Sequence, residues 1–220
     1  MRNGRMNWTQ RIDAYCERTD PGFWSEPVNA LTNAAFLVAA AVMWRRTDGL
    51  PLARAMVMVL AAIGLGSFLF HTIATSWAAL ADVAPILGFI LLYLFAANRD
   101  FWRLGVWPAL GATSLFLPYA VLAGWLFGRI PWLGSSAGYA PVALLIAIYA
   151  GLLRRRLPGL ARGLALGAAL LVLSLAFRTL DAPACASFPL GMHFLWHLLN
   201  ALLLGWMIEI YRRHMRRAPA

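Results

Sequence analysis

The chain has 220 residues, of which 61% are hydrophobic and 13% charged, and its mean hydropathy is +0.67. A soluble domain of this size cannot hide so much apolar surface, so the composition excludes an ordinary water-soluble enzyme and indicates an all-α membrane protein. All 19 basic residues are arginine and the net charge is +10, but the arginines lie mainly in loops and termini. This distribution is a topology signal and predicts no nucleic-acid partner.

Seven apolar segments follow one another along the chain, each near the ~20 residues that a helix needs to cross ~30 Å of hydrocarbon. They cover residues 28–44, 55–74, 78–97, 104–127, 137–153, 160–177 and 190–211. No repeat or long linker separates them. The sequence therefore predicts one polytopic domain, 1–220. It is a seven-transmembrane helical bundle (28–211) with an N-terminal arm (1–27) and a basic tail (212–220).

The arginines predict the orientation of the bundle. Thirteen lie in the loops and tail on one side, whereas only Arg129 and Arg178 lie in loops on the other side, with four more in the arm. The positive-inside rule therefore predicts an N-terminus outside and a C-terminus in the cytoplasm. The Ala-, Leu- and Arg-rich, lysine-free composition is typical of GC-rich bacteria, so we expect a multi-pass protein of a bacterial inner membrane.

Polar side chains in the spans mark a candidate site. Ser67 and His71 share a face of the second span, Asp82 begins the third, and His193 and His197 share a face of the last. A histidine or aspartate in hydrocarbon costs about a few kcal/mol, so such residues pair, bind a metal or line a cavity. In the predicted topology all five residues lie within ~10 Å of the outer interface, on three helices.

The residue types favour a metal-binding role. Three histidine nitrogens make a catalytic zinc set with one coordination position left for water, so His71, His193 and His197 are the predicted zinc ligands. Interhelical hydrogen bonds are the simpler alternative, and b-type haem ligation is another, although an i,i+4 pair suits a single ion better. Asn200, one turn beyond His197, is either a hydrogen-bond partner of a ligand or an ordinary interhelical contact.

The ordered set Ser67-x3-His71, Asp82 and His193-x3-His197 resembles the alkaline ceramidase family, within the CREST superfamily of seven-helix membrane hydrolases. The segments 15–17 and 22–29 of the arm resemble the ceramidase branch. The resemblance implies zinc-dependent cleavage of the amide of ceramide, or of a related N-acyl membrane lipid, to a fatty acid and a sphingoid-type amine. Ser67 and Asp82 would be the catalytic residues. A zinc-containing receptor or sensor of the same superfamily is the alternative.

The resemblance also implies a calcium site in the arm, because the better-known ceramidases bind calcium there. The candidate ligands here are Asp13, Tyr15 (through its carbonyl), Glu17, Asp20 and Glu26. Calcium takes about six or more oxygen ligands, and three positions of the family pattern hold Ala14, Thr19 and Gly22 instead. A cap held by salt links to the arm's arginines is the alternative.

The two cysteines, Cys16 in the arm and Cys185 before the last span, both fall on the predicted outer side. Extracytoplasmic compartments are oxidising, so we expect a disulfide that ties the arm over the mouth of the site. The sequence gives no indication of oligomeric state.

Overall fold

A computed structural model describes residues 7–217, and this part of the chain is helical, with no named strand. Its α-helices in chain order are α1 (Pro27–Thr32), α2 (Ala34–Arg46), α3 (Pro51–Ile73), α4 (Ser76–Ala96), α5 (Val106–Ser114), α6 (Phe116–Phe127), α7 (Ala140–Leu153), α8 (Pro158–Ala184) and α9 (His193–Arg217). A π-helical turn, Ala97–Phe101, extends α4, and a 3-10 segment, Pro131–Gly138, precedes α7. Residues 1–6 and 218–220, the ends of the predicted arm and tail, lie outside the described residues.

The predicted multi-pass helical architecture is confirmed. Six helical stretches are long and apolar enough to cross a membrane. They are Pro27–Arg46, Pro51–Ile73, Ser76–Phe101, Val106–Phe127, Pro158–Ala184 and His193–Arg217. The predicted fifth span is bent by 74° between Pro131–Gly138 and Ala140–Leu153, so the spans number six, or seven if the bent pair also crosses. The break lies at Tyr139, and Gly134, whose φ of 48° is in the left-handed region, also interrupts the 3-10 segment before it.

Two predicted helix ends need correction. The predicted sixth span, 160–177, is part of a 27-residue helix that continues to Ala184 and therefore includes Arg178 and Asp181. The predicted tail from residue 212 is helical as far as Arg217, because α9 continues through it.

Glycines set the closest helix contacts. A Cβ on Gly66 of α3 would collide with the carbonyl oxygen of Ala81 on α4, so the two backbones touch beside Ser67 and Asp82. On α8, a Cβ on Gly163 would lie 2.9 Å from Ile210 of α9. Small residues at such points let membrane helices approach closely, and here they bring α3 onto α4 and α8 onto α9.

The arm lies across one end of the bundle. The backbone N–H of Ile12 donates to the carbonyl of Ala74 (2.9 Å), and that of Ser76 donates to Gln10 (3.0 Å), which pins the arm to the α3–α4 turn. Further along, Cys16 forms a disulfide with Cys185 at the end of α8, as predicted. The arm therefore connects the α3–α4 hairpin to the α8–α9 pair over the end that holds the histidines.

Candidate metal centre

Three imidazoles from two helices meet under the arm. His71 comes from the last turn of α3, while His193 and His197 come from the first two turns of α9, and each is at most 1% exposed. Their ring centroids are 4.6–5.2 Å apart. One ligand nitrogen from each histidine lies within 4.8 Å of the other two, so this cluster can hold a metal ion.

The hydrogen bonding of the cluster fits such an ion. His71 Nε2, His193 Nδ1 and His197 Nε2 are buried and have no hydrogen-bond partner within residues 7–217. Buried polar atoms without partners are rare in native proteins, because each costs about 1–3 kcal/mol. An all-nitrogen donor set at this spacing is compatible with zinc.

Two polar side chains hold the outer nitrogens of these rings. Glu26 Oε2 lies 2.6 Å from His71 Nδ1, and Thr32 Oγ1 lies 3.0 Å from His197 Nδ1. Such outer contacts fix the tautomer and orientation of metal-binding histidines and raise their basicity. Sequence reasoning placed Glu26 in a calcium site and missed Thr32, because no spacing rule connects residues that are 45 (Glu26 and His71) or 165 (Thr32 and His197) positions apart.

The backbone of His193 is fixed by a residue whose role the sequence did not reveal. Asp181, 3% exposed near the end of α8, accepts the N–H groups of Met192 (2.7 Å) and His193 (2.9 Å) on one carboxylate oxygen. Its other oxygen accepts the N–H of Cys16 (3.2 Å). Asp181 therefore caps the start of α9 and joins it to the arm.

Tyr15 closes the centre from the arm side. Its ring stacks on His193 with centroids 3.7 Å apart, and its hydroxyl accepts a hydrogen bond from Arg178 (3.1 Å). Burial raises the pKa of Tyr15 to about 12, so the phenol is neutral at physiological pH. Its carbonyl, the predicted calcium ligand, accepts the N–H of Arg18 instead (3.2 Å).

The other calcium candidates are also used differently. Glu17 accepts the N–H groups of Val28 (2.7 Å) and Asn29 (2.8 Å) at the start of α1, and burial raises the pKa of its carboxyl. Asp13 and Asp20 are exposed. Within residues 7–217, the three histidines are the one group of at least three His, Cys, Asp or Glu side chains spaced for a shared ion. The carboxylates of Asp13, Glu17, Asp20 and Glu26 therefore form no such group within residues 7–217, and calcium binding by the arm stays a prediction.

Arg18 supplies the positive charge that this part of the arm requires. Its Nε bonds to Glu26 (2.6 Å), and its other nitrogens donate to the carbonyls of Asp20 (3.2 Å), Gly22 (3.4 Å) and His71 (2.9 Å). The side chain is almost fully buried. The guanidinium thus lies in a cage of four oxygen atoms, one from the Glu26 carboxylate and three from backbone carbonyls. This arrangement agrees with the alternative of a cap held by arginine.

The remaining predicted site residues line one pocket. Ser67, Asp82 and His197 lie at its end beside the histidine cluster, and the rest of its walls is mainly apolar. The pocket is narrow, with a volume of about 100 Å³. It follows α4 from Asp82 to Ala97, a length of ~22 Å at 1.5 Å per residue. The structure therefore brings the predicted catalytic residues and a predicted zinc ligand to one end of a long apolar channel.

Asn200 also lines this pocket but bonds to no histidine among the described residues. Its amide donates to the Ser174 hydroxyl on α8 (2.7 Å) and to the Trp196 carbonyl (2.9 Å). The interhelical alternative is therefore the better description of this residue.

No protein-family model matches the chain, and no curated protein matches it. The chemistry of the site is therefore inferred from its own residues.

Proposed function

We propose that the protein is a zinc-dependent intramembrane amidohydrolase of the alkaline ceramidase type. Its substrate would be ceramide or a related N-acyl lipid, cleaved to a free fatty acid and a sphingoid-type amine. One observation carries the proposal: three imidazoles, each with a buried nitrogen that has no partner among the described residues, meet where His197 reaches the polar end of a long apolar pocket. Ser67 and Asp82 line the same end of that pocket.

The three histidines would hold the ion. When bound by three neutral imidazoles, zinc would supply a Lewis acid that could lower the pKa of a water molecule and polarise an amide carbonyl. Glu26 and Thr32 hold the outer nitrogens of His71 and His197, so the inner nitrogens are preoriented. The ring centroids lie within 5.2 Å of one another, which leaves no space for a porphyrin between them and favours a single ion over haem.

Asp82 and Ser67 have separate tasks in this scheme. Water adds to the amide carbon, the C–N bond breaks, and one proton must pass from the water to the departing nitrogen. The Asp82 carboxylate accepts that proton and delivers it to the amine. The Ser67 hydroxyl donates a hydrogen bond to the oxygen on which negative charge develops, a contribution typically worth ~3 kcal/mol.

The pocket selects for a lipid. Its narrow, mainly apolar part suits one extended acyl chain better than a polar headgroup. When the chain fills the channel, the amide stands at the polar end beside His197, Ser67 and Asp82. A lipid entering sideways from the bilayer then brings its amide to headgroup depth without leaving the membrane.

A substrate panel tests the proposal. Detergent-purified, zinc-loaded protein is incubated with ceramide, an N-acylethanolamine and an N-acyl amino acid, and fatty-acid release is followed. We expect at least one to be cleaved, and Asp82→Asn to lower kcat by about 100-fold or more with zinc content unchanged. Asp48→Asn, which alters an exposed carboxylate near the arginine-rich end, is the matched control and should leave the rate unchanged.

Two results would contradict the hydrolase mechanism. One is a zinc-loaded wild-type protein that cleaves no lipid of the panel, which would favour the receptor or sensor alternative. The other is an Asp82→Asn variant that is as fast as the wild type, which would remove the assigned base.

A further inference from the structure

A second pocket opens at the end of the bundle remote from the cluster of His71, His193 and His197. Its walls are the turn at Arg103, the α7–α8 turn with the first turns of α8, and the last turns of α9. Its volume is about 660 Å³. The pocket is separate from the apolar channel, since the two share no lining residue.

The lining is strongly basic. It contains Arg103, Arg156, Arg162, Arg213, Arg217 and His214, and no acidic residue. Within residues 7–217, only one of these arginines makes an ion pair: Arg213, with Glu209 at 2.7 Å. Cations brought together from three segments repel one another unless an anion lies between them.

The backbone at Arg103 supports this interpretation. Its φ is +57°, a left-handed conformation that side-chain-bearing residues seldom adopt. The turn is held by a hydrogen bond from the N–H of Leu104 to the carbonyl of Asn98 (3.3 Å). The fold thus keeps an unfavourable backbone conformation at Arg103, whose side chain lines the pocket.

The start of α8 adds to the positive potential. Pro158 occupies its first turn, no side chain caps it, and the first turn contains no acidic residue. Pro158, Gly159 and Leu160 line the pocket, so the positive end of a 27-residue helix lies at its wall. Such a helix end complements a phosphate group that the arginines already attract.

The apolar part of the lining distinguishes a lipid from a soluble anion. Leu166 is 48% exposed on α8 and continues the pocket wall along the side of the bundle. Trp206 lies beside it and donates its indole N–H to the Gly163 carbonyl (2.9 Å), with the Arg213 guanidinium 5.5 Å from its ring. A basic mouth that continues into an apolar, membrane-facing wall matches a headgroup joined to acyl chains.

We propose that this pocket binds the phosphate-bearing headgroup of an anionic phospholipid from the leaflet at the arginine-rich end. The acyl chains lie along α8 past Leu166. The inference is independent of the hydrolase activity, because none of its residues lies at the histidine cluster.

Native mass spectrometry of the full chain in detergent tests the site. Phosphatidylglycerol and phosphatidylcholine, added separately, are compared for retention. We expect retention of phosphatidylglycerol, with affinity about thirtyfold weaker in an Arg103→Gln/Arg162→Gln double variant. The matched control is Arg154→Gln/Arg155→Gln, which removes the same charge from exposed arginines outside the pocket lining and should bind as the wild type does.

Three outcomes would overturn the proposal. Equal retention of phosphatidylcholine would show that no anionic headgroup is recognised. An equal loss of phosphatidylglycerol affinity in the Arg154→Gln/Arg155→Gln control would show general electrostatic attraction to the arginine-rich end rather than binding in the pocket. Displacement of phosphatidylglycerol by equimolar inorganic phosphate would identify a soluble anion as the ligand. Thermal melts without lipid check folding, and the single Arg162→Gln variant replaces the double variant if that one fails to fold.

Discussion

Glu26 joins two parts of the molecule, because one carboxylate oxygen lies 2.6 Å from His71 Nδ1 and the other lies 2.6 Å from Arg18 Nε. Burial raises the pKa of this carboxyl, while the Arg18 charge opposes the rise and favours the ionised form. The arm therefore contacts the candidate metal centre directly. Glu26 holds the predicted ligand His71, and Arg18 of the arm holds Glu26.

We expect Glu26→Gln to weaken zinc binding about 10–100-fold, since loss of the partner of a ligand's outer nitrogen has this effect on metal affinity. Competition with a colorimetric chelator measures the affinity. Asp20→Asn, an exposed change on the same arm, is the control and should leave it unaltered. Equal zinc affinity in the wild type and Glu26→Gln would show that Glu26 does not support the metal.

The Arg18 cage predicts independence from calcium. Adding calcium, or removing it with a selective chelator, should leave the melting temperature of the wild type unchanged. Arg18→Met should cost about 3–5 kcal/mol, because it leaves the buried Glu26 carboxylate without its cation. Arg11→Met, at an exposed arginine of the same arm, should have little effect. A calcium-dependent rise in the wild-type melting temperature would contradict the assignment of the Arg18 guanidinium, rather than calcium, as the cation of the cage.

The sequence predicted the histidine cluster because the governing rules are local. Helical spacing places His193 and His197 on one face, and span order brings His71 to the same depth. These rules need only the chain direction and the length of a span. The same reasoning brought Asp82 to the cluster, and the structure places it in the shared pocket.

The arm was not predictable in the same way. The partners of Arg18 and Glu26 are set by an irregular backbone that has no periodicity, and the calcium ligands were predicted there from the family resemblance alone. The bend before α7 also escaped prediction, because the apolar residues continue across Tyr139 and hydropathy does not register the change of helix direction there.

The disulfide should contribute strongly to stability. Cys16 and Cys185 are 169 residues apart, and closing a loop of this length is worth about 2–5 kcal/mol in the chain-entropy model. Cys16→Ser should lower the melting temperature and also the zinc affinity, as Tyr15 on the same segment packs on His193. Cys185→Ser and the double variant Cys16→Ser/Cys185→Ser should show the same losses of melting temperature and zinc affinity as Cys16→Ser. A double variant much less stable than either single one, or free thiols in the non-reduced wild type, would contradict the prediction.

Gly66 offers a test of the pocket that leaves the metal ligands intact. Gly66→Ala forces α3 away from the Ala81 carbonyl on α4, and such overpacking typically costs 1–3 kcal/mol. The shift separates Ser67 from Asp82, so lipid cleavage should fall while zinc content stays stoichiometric. Gly111→Ala, where no atom lies within 4 Å of the added methyl group, should be neutral or slightly stabilising. Full activity of Gly66→Ala would show that this helix contact does not position the two residues.

The orientation in the membrane can be tested with reporter fusions. The histidines, the arm and the disulfide lie at one end of the bundle, and the start of α3 and the end of α9, with their arginines, lie at the other. Disulfides persist in oxidising compartments, and positively charged loops stay in the cytoplasm, so both features predict that the candidate metal centre lies at the outer face. A C-terminal alkaline phosphatase fusion should therefore be inactive in a bacterial host, and a C-terminal green fluorescent protein fusion should fluoresce. The opposite pair of results would move the centre to the cytoplasmic leaflet and leave the disulfide in a reducing compartment.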